Sequence, residues 1–230
     1  NTKTKIAPIV SSVKSAKVIC KLWDRHYSKT PDMVVIEGPK AGGHLGFSKD
    51  EVENITDEEY DKEIVAIKQV VDEYADKYSK HIPVIFGGGV YDKNDVEHYM
   101  NLGIDGVQMG TRFVVAKESI VHENYKAKII KAKDIDSEVT GRSTGHPIRV
   151  LRNKMTREYL KKEQEGATLE ELEKLTLGAL RNAVVDGDAV YGSVMAGQIS
   201  GMIKKEETCQ EIIDDVVSGC NAAIAAVKEL

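Results

Sequence analysis

Residues 33–46 read Met-Val-Val-Ile-Glu-Gly-Pro-Lys-Ala-Gly-Gly-His-Leu-Gly, four apolar residues followed by a glycine-rich loop that carries one histidine. The apolar run is typical of a strand that is buried on both faces of a parallel sheet. Glycines at 42, 43 and 46 place no side chains beside His44 and allow backbone conformations that other residues avoid. We therefore expect an exposed imidazole in a loop at the end of a buried strand, and we predict that the chemistry takes place there.

The order of apolar run, turn and helical pattern occurs four times before residue 116. The apolar runs are residues 6–10, 33–36, 83–86 and 106–109. Strands that alternate with helices in this way indicate parallel α/β structure. Beyond residue 116 the sequence predicts mainly helices, over residues 118–133, 154–166, 168–185 and 208–229.

The composition excludes several classes of protein. With 230 residues and 41% hydrophobic residues, the chain can form a substantial core. The net charge of −5 argues against general binding of nucleic acid, and no apolar run reaches the roughly 20 residues of a membrane span. The three scattered cysteines lack the spacing of metal ligands, which favours a reducing, cytoplasmic location. We expect no nucleic-acid partner, no membrane association and no metal.

Two glycine turns end consecutive predicted strands. They are Gly87-Gly88-Gly89 and Gly110-Thr111, about 20 residues apart. Backbone amides at such turns bind anions when a helix follows, and paired loops of this kind often hold phosphate. The Thr111 hydroxyl can donate to an anion, and Arg112 can either neutralise its charge or pair with a carboxylate. The alternative is that the glycines only permit tight turns.

His44 is predicted to act as a general acid or base, because imidazole titrates near neutral pH. A metal-binding role is disfavoured, since no second ligand lies at a suitable spacing. Glu37 ends the preceding strand, where it can orient the ring or a ligand hydroxyl, or merely cap the loop.

Two further segments give weaker signals. His146, Arg149 and Arg152 can together receive an anionic substrate or cofactor tail, although a solvated surface is the favoured interpretation. The small residues around Met195, Gly197 and Gln198 can admit a flat ligand or permit a close helix contact.

Several motifs, taken in order, resemble a family of FMN-dependent enzymes. The family joins nitronate monooxygenases (2-nitropropane dioxygenases) with flavin-type enoyl-acyl-carrier-protein reductases. The similarity covers nearly the whole chain and rests on residues 41–46, 83–89, 103–115 and 195–201. Residues 20–110 look more like the monooxygenases, and the chain from Thr111 onward looks like the reductases.

The resemblance implies an FMN whose phosphate is held at Gly88, Gly89, Gly110 and Thr111, with a catalytic His44 that faces the flavin. The further cofactor-binding residues expected from it are Glu37, Gly42, Gly43, Gly87, Met195, Gly197 and Gln198. The leading function is an NAD(P)H-dependent enoyl-acyl-carrier-protein reductase of fatty-acid synthesis, for which acyl carrier protein is a possible partner. The alternative is a nitronate monooxygenase that oxidises alkyl nitronates with oxygen.

The resemblance also implies a TIM-type (β/α) barrel, of which four βα units correspond to the C-terminal half. We expect a partial barrel over residues 1–116 and a mainly helical segment over 117–230 that returns to it. Open edges of a parallel sheet favour association, so we expect a homo-oligomer. A catalytically inert barrel fragment is the alternative of another class.

Overall fold

The computed structural model describes residues 3–228 and, within them, every side chain except those of residues 49 and 222–228. The chain divides into two compact units. The parallel-sheet unit comprises Asn1–Gly38, Asn54–Gln108 and Asp215–Leu230. The hairpin unit comprises Pro39–Glu53 and Met109–Asp214.

The strands and helices follow one another in the order given below. They are β1 (Ile9–Val10), α1 (Val13–Tyr27), β2 (Val34–Glu37), β3 (Gly43–His44), α2 (Lys49–Asn54), α3 (Asp57–Lys77), β4 (Val84–Gly87), α4 (Lys93–Asn101), β5 (Gly106–Gln108), α5 (Thr111–Val114), α6 (Glu123–Ile130), β6 (Ser137–Thr140), β7 (Ile148–Leu151), α7 (Lys154–Gln164), α8 (Leu169–Thr176), α9 (Ala179–Val184) and α10 (Cys209–Lys228). Short 3₁₀ helices cover Asp134–Asp136 and Gln198–Met202.

The parallel-sheet unit contains four parallel strands in the order β1-β2-β4-β5. Val35 of β2 lies opposite Ile9 on one side and Ile85 on the other. Each of the four predicted apolar runs overlaps one of these strands, so the predicted parallel α/β class is confirmed. Parallel strands need crossover connections, and helices provide them here between successive strands of the sheet.

Apolar burial holds this sheet. Ile36, Val84 and Phe86 are at most 1% exposed. Full burial of one such side chain contributes about 1.5–3 kcal/mol. Side-chain caps mark the starts of two long helices, since Ser12 caps α1 and Thr56 forms a capping box with Glu59 of α3. Local hydrogen bonding fixes where these helices begin.

The hairpin unit contains a second sheet that the sequence did not predict. β6 and β7 pair antiparallel, and β3 adds to β7, so that the order is β3-β7-β6. Gly43 lies opposite Arg149, and His44 lies opposite Ile148. The His44 segment was expected to be a loop, because two residues without an apolar run give no strand signal. Its pairing depends on residues that follow about 100 positions later.

The helices of the hairpin unit are shorter than predicted. α6 begins only after His122, whose ring accepts a hydrogen bond from the Asn124 N–H. The predicted helix over 168–185 is interrupted at Gly178, which has φ +75°. Left-handed backbone ends one helix and begins the next. The division of the chain into 1–116 and 117–230 stays a prediction.

Candidate functional site

The glycine loops of the parallel-sheet unit lie at the carboxyl ends of β2 and β4. The Gly38 N–H donates to the Gly87 carbonyl at 2.7 Å, and a Cβ on Gly38 would lie 2.7 Å from the Gly88 oxygen. Gly88 and Gly89 have φ of +101° and +106°. Few residues other than glycine adopt such angles. Glycine is therefore needed here for two reasons. At Gly38 the two backbones approach closely, and at Gly88 and Gly89 the backbone is left-handed.

The start of α4, which follows this loop, is already capped by carboxylates. Asp92 accepts hydrogen bonds from the Asn94 and Asp95 N–H groups, and Asp95 accepts from those of Tyr91 and Asp92. A phosphate at this helix terminus would meet two negative charges. The first amides of α4 are therefore already satisfied by side chains of the chain itself.

In the hairpin unit, β3 presents the predicted catalytic imidazole to solvent. His44 is exposed, whereas its neighbours Gly43 and Leu45 are buried. Gly43 has φ +82°, and a Cβ there would lie 3.6 Å from the Met195 sulfur. Pairing with β7 continues through the Leu45 N–H, which donates to the Pro147 carbonyl at 2.9 Å. The strand thus fixes the His44 backbone while its ring stays accessible.

Gly42 packs directly on the backbone of residues 196 and 197. A Cβ on Gly42 would lie 2.5 Å from the Ala196 carbonyl carbon and 2.5 Å from the Gly197 nitrogen. The Gln198 N–H donates to the Lys40 carbonyl at 3.0 Å. The structure therefore brings together four residues predicted to bind the cofactor, which are Gly42, Gly43, Gly197 and Gln198.

Thr111 and Met195 join the same cluster of the hairpin unit. The Thr111 hydroxyl oxygen accepts from the Gly197 N–H at 2.9 Å. The Met195 carbonyl accepts from the Tyr125 hydroxyl at 2.6 Å, and burial raises the pKa of Tyr125 to about 12. Gly110 precedes α5 without a side-chain cap. This helix start differs from that of α4 in having no carboxylate at its cap.

Arg149 is the polar residue that the sequence interpretation placed wrongly. It is 8% exposed rather than solvated. Its guanidinium donates to the Pro39 carbonyl at 2.9 Å, to Gln198 Oε1 at 2.8 Å and to Ser137 Oγ at 3.0 Å. Burial and nearby Arg142 lower the pKa of Arg149 to about 10, so it remains charged at neutral pH. An arginine inside the apolar run 148–151 was the available signal.

The other predicted polar residues have different surroundings. His146 is exposed, and Arg152 pairs with Glu138. Arg112 pairs with Glu207 at 3.0 Å, the carboxylate alternative of the two considered. Glu37 accepts a hydrogen bond from the Tyr60 hydroxyl through its backbone carbonyl.

Comparison with known proteins assigns the family. A profile described as nitronate monooxygenase matches residues 1–219. The chain belongs to the nitronate monooxygenase family. A probable nitronate monooxygenase of Staphylococcus saprophyticus is 29% identical over 83% of the chain, and one of Bacillus subtilis is 28% identical over 80%. The chain spans about half the length of these curated relatives, 51% and 50% respectively.

Solved structures of the same fold confirm the barrel class. FabK from Thermotoga maritima is 34% identical, with a TM-score of 0.77 over 98% of this chain and 64% of its own. A nitroalkane oxidase from Streptomyces ansochromogenes has a TM-score of 0.72 over 97% of this chain and 59% of its own, and its 22% identity supports the fold alone.

Two features are absent from residues 3–228, the part of the chain that the structure describes. None of the helices in this range has both the length and the apolar character needed to cross a bilayer. Within the same range, no three His, Cys, Asp or Glu side chains are grouped so that they could hold a metal ion.

Proposed function

We propose that this member of the nitronate monooxygenase family contributes to an FMN-dependent oxidoreductase, and that its reaction is the NAD(P)H-dependent reduction of enoyl-acyl-carrier-protein. The observation that carries the proposal is the contact of the Gly42 backbone with residues 196 and 197. Gly42 lies two residues before His44, which is exposed. This contact fixes a histidine next to a surface of small residues, which a flat ring can approach.

The residues present fit an FMN. Left-handed glycines at 88 and 89 leave loop amides without intervening side chains, and the uncapped start of α5 at Gly110 and Thr111 offers a second group of amides. From the family resemblance, we propose each of these groups, in its own unit, as a candidate for binding phosphate. Arg149 carries a buried positive charge that suits an anionic or electron-rich ligand. Gly42, Gly43, Met195, Gly197 and Gln198 are proposed to face the ring, and Glu37 to contact a ligand hydroxyl.

When bound, FMN supplies hydride transfer or the reduction of oxygen, chemistry for which proteins have no side chain. The chain provides orientation and a proton. In the reductase, His44 would donate a proton to the α-carbon of the enoyl thioester, after the β-carbon has accepted a hydride. A side chain placed for general acid catalysis contributes about 10²–10⁴-fold in rate.

The second candidate is a nitronate monooxygenase, which the family profile and the curated relatives favour. In that reaction His44 removes the α-proton of a nitroalkane or assists oxidation of the nitronate. The reductase is preferred because the segments from Thr111 onward resemble the flavin-type reductases, and because FabK shares 34% identity over nearly the whole chain.

The visible absorption spectrum of the purified chain is the first test. A flavin band supports the proposal. A colourless protein that takes up no FMN and turns over neither substrate supports the inert-fragment alternative. Consumption of NAD(P)H with a crotonyl thioester of acyl carrier protein identifies the reductase, and oxygen uptake with an alkyl nitronate identifies the monooxygenase.

His44→Ala tests the assigned proton transfer. We expect a loss of at least about 10²-fold in kcat, with retained FMN binding. His146→Ala is the matched control, because His146 is also exposed and belongs to the same unit. Equal losses in both variants would contradict the role of His44.

Self-association is also proposed. The edge strand β1 exposes Ile9 at 60%, and Ile6 just before it is 54% exposed. An apolar, unpaired edge favours pairing with another chain. A monomer with full flavin occupancy in size-exclusion chromatography would contradict this proposal.

A further inference from the structure

Arg149 bonds to three separate segments of the hairpin unit. Its Nη2 donates to the Pro39 carbonyl, before the glycines of the His44 strand, and its Nη1 donates to the side-chain oxygens of Gln198 and Ser137. The segment that begins at Pro39 leads to His44, and the segment that contains Gln198 follows Gly197. One planar guanidinium therefore spans both segments that carry the candidate site.

The position of Arg149 on β7 places it beside the proposed catalytic residue. Its backbone pairs with Gly43, and the preceding Ile148 pairs with His44. The side chain and the strand pairing thus act on the same stretch of backbone. A displacement of the Arg149 side chain would therefore affect the position of His44 in two ways, through the hydrogen bond to Pro39 and through the pairing of β7 with β3.

The charge of Arg149 is not balanced by any carboxylate among residues 3–228 whose side chains the structure describes. Its three acceptors are all neutral, and its Nε is buried with no hydrogen-bond partner in the same part of the chain. Buried cations are normally paired, because the loss of hydration is costly. An apolar side chain would fill this space without the cost of burying a charge. The presence of arginine therefore indicates a role beyond packing.

We propose that Arg149 is a positioning residue, which holds the His44 strand against the Gly197–Gln198 backbone in the arrangement that binds the cofactor. The part of this inference that concerns cofactor binding rests on the proposed function. The contacts that Arg149 makes do not depend on it. Lysine cannot replace arginine in this role, since an ammonium group lacks the rigid fork that reaches several acceptors at fixed angles.

The first test measures amide hydrogen exchange in the full chain without added FMN. Two amides report the arrangement directly: Leu45, bonded to Pro147, and Gln198, bonded to Lys40. In Arg149→Lys we expect both to exchange about tenfold faster, as the loss of charged hydrogen bonds allows. The matched control is Arg152→Lys, whose arginine is more exposed and pairs with Glu138. The control should leave both rates within about twofold.

The second test measures FMN binding at a temperature well below unfolding. A purely structural role would lower thermal stability without changing the bound cofactor. A positioning role predicts that Arg149→Lys raises the FMN dissociation constant about tenfold and alters the visible band of bound FMN, as lost charged hydrogen bonds would. Arg152→Lys should reproduce the wild-type constant and spectrum.

The two tests separate the inference from the function on which it rests. If the wild-type chain binds no FMN, the proposed function fails, while the exchange rates still decide whether Arg149 holds the two segments. Unchanged rates at Leu45 and Gln198, or a rise shared equally by the amides of α7, would overturn the inference. If Arg149→Lys does not fold, Gln198→Leu removes one acceptor and should raise the exchange rate at Leu45 by itself.

Discussion

The two units are stabilised by different means. The parallel-sheet unit packs apolar strand residues such as Ile36 and Phe86 against helices, and its ion pairs lie on the surface. The hairpin unit buries charged and polar groups, among them Arg112, Arg149 and Asn153. Apolar contacts are non-directional, whereas buried polar groups require particular partners. The first unit is therefore suited to be a scaffold, and the second to fix the geometry of a site.

The largest expected effect breaks the apolar unit. Ile36→Ala removes a side chain that is 0% exposed in β2, and we expect a loss of about 4 kcal/mol in the free energy of unfolding. Ile9→Ala, in the adjacent strand at 60% exposure, should cost under about 1 kcal/mol. Denaturant titration measures both. Equal losses would mean that burial in the sheet does not dominate this unit.

The next effect breaks the polar unit. Glu207→Gln leaves Arg112 charged and buried, and we expect a loss of about 3 kcal/mol. Its control is Glu138→Gln, because Glu138 pairs with the more exposed Arg152; here the loss should stay below about 1 kcal/mol. Denaturant titration combined with amide exchange locates the damage. A cost no greater than that of the control would show that the buried pair adds nothing.

A smaller effect tests close backbone approach in the hairpin unit. Gly42→Ala places a methyl group 2.5 Å from the backbone of residues 196 and 197, so we expect about 2 kcal/mol of destabilisation together with weaker FMN binding. Gly110→Ala is the matched control for stability alone, since a Cβ there meets nothing within 4 Å. Thermal unfolding should separate the two variants, and identical midpoints would contradict the assigned contact.

The smallest effect concerns the surface ion pairs of the parallel-sheet unit. Hydrogen bonds from Lys77 and Tyr78 lower the pKa of Asp24 in the folded chain. A lowered pKa means that this stabilisation is complete above the unfolded value of about 4 and is lost as the pH falls through the folded value. Asp24→Asn should therefore flatten the dependence of the urea midpoint on pH between about pH 5 and pH 3. Parallel curves for the two proteins would refute the assignment.

Local patterns predicted the parallel-sheet unit well. Four largely apolar runs indicated the four strands of the parallel sheet. The order of the four strands in the sheet follows their order along the chain, with only β3 left out. The glycines at 38, 88 and 89 also had a local signal, although their separate reasons became visible only from distances and φ angles.

The hairpin unit was predicted less well because its contacts are long-range. No sequence pattern pairs Gly43 with Arg149, and nothing near Gly42 shows that residues 196 and 197 pack on it. Arg149 was grouped with exposed cations on the basis of its neighbours in sequence. Arg149 is buried together with residues 150 and 151 of β7, whereas Arg152 follows the end of the strand and remains nearer to solvent.

The sequence by itself determined the α/β class, the glycine loops and the choice of His44 as the residue to test, since each depends on residues close together in the chain. The tertiary structure alone decided which segments lie next to the His44 strand, and that the buried guanidinium of Arg149 bonds to them. Strand pairing across about 100 residues, and the burial of one guanidinium, are properties of the folded chain that no local pattern records.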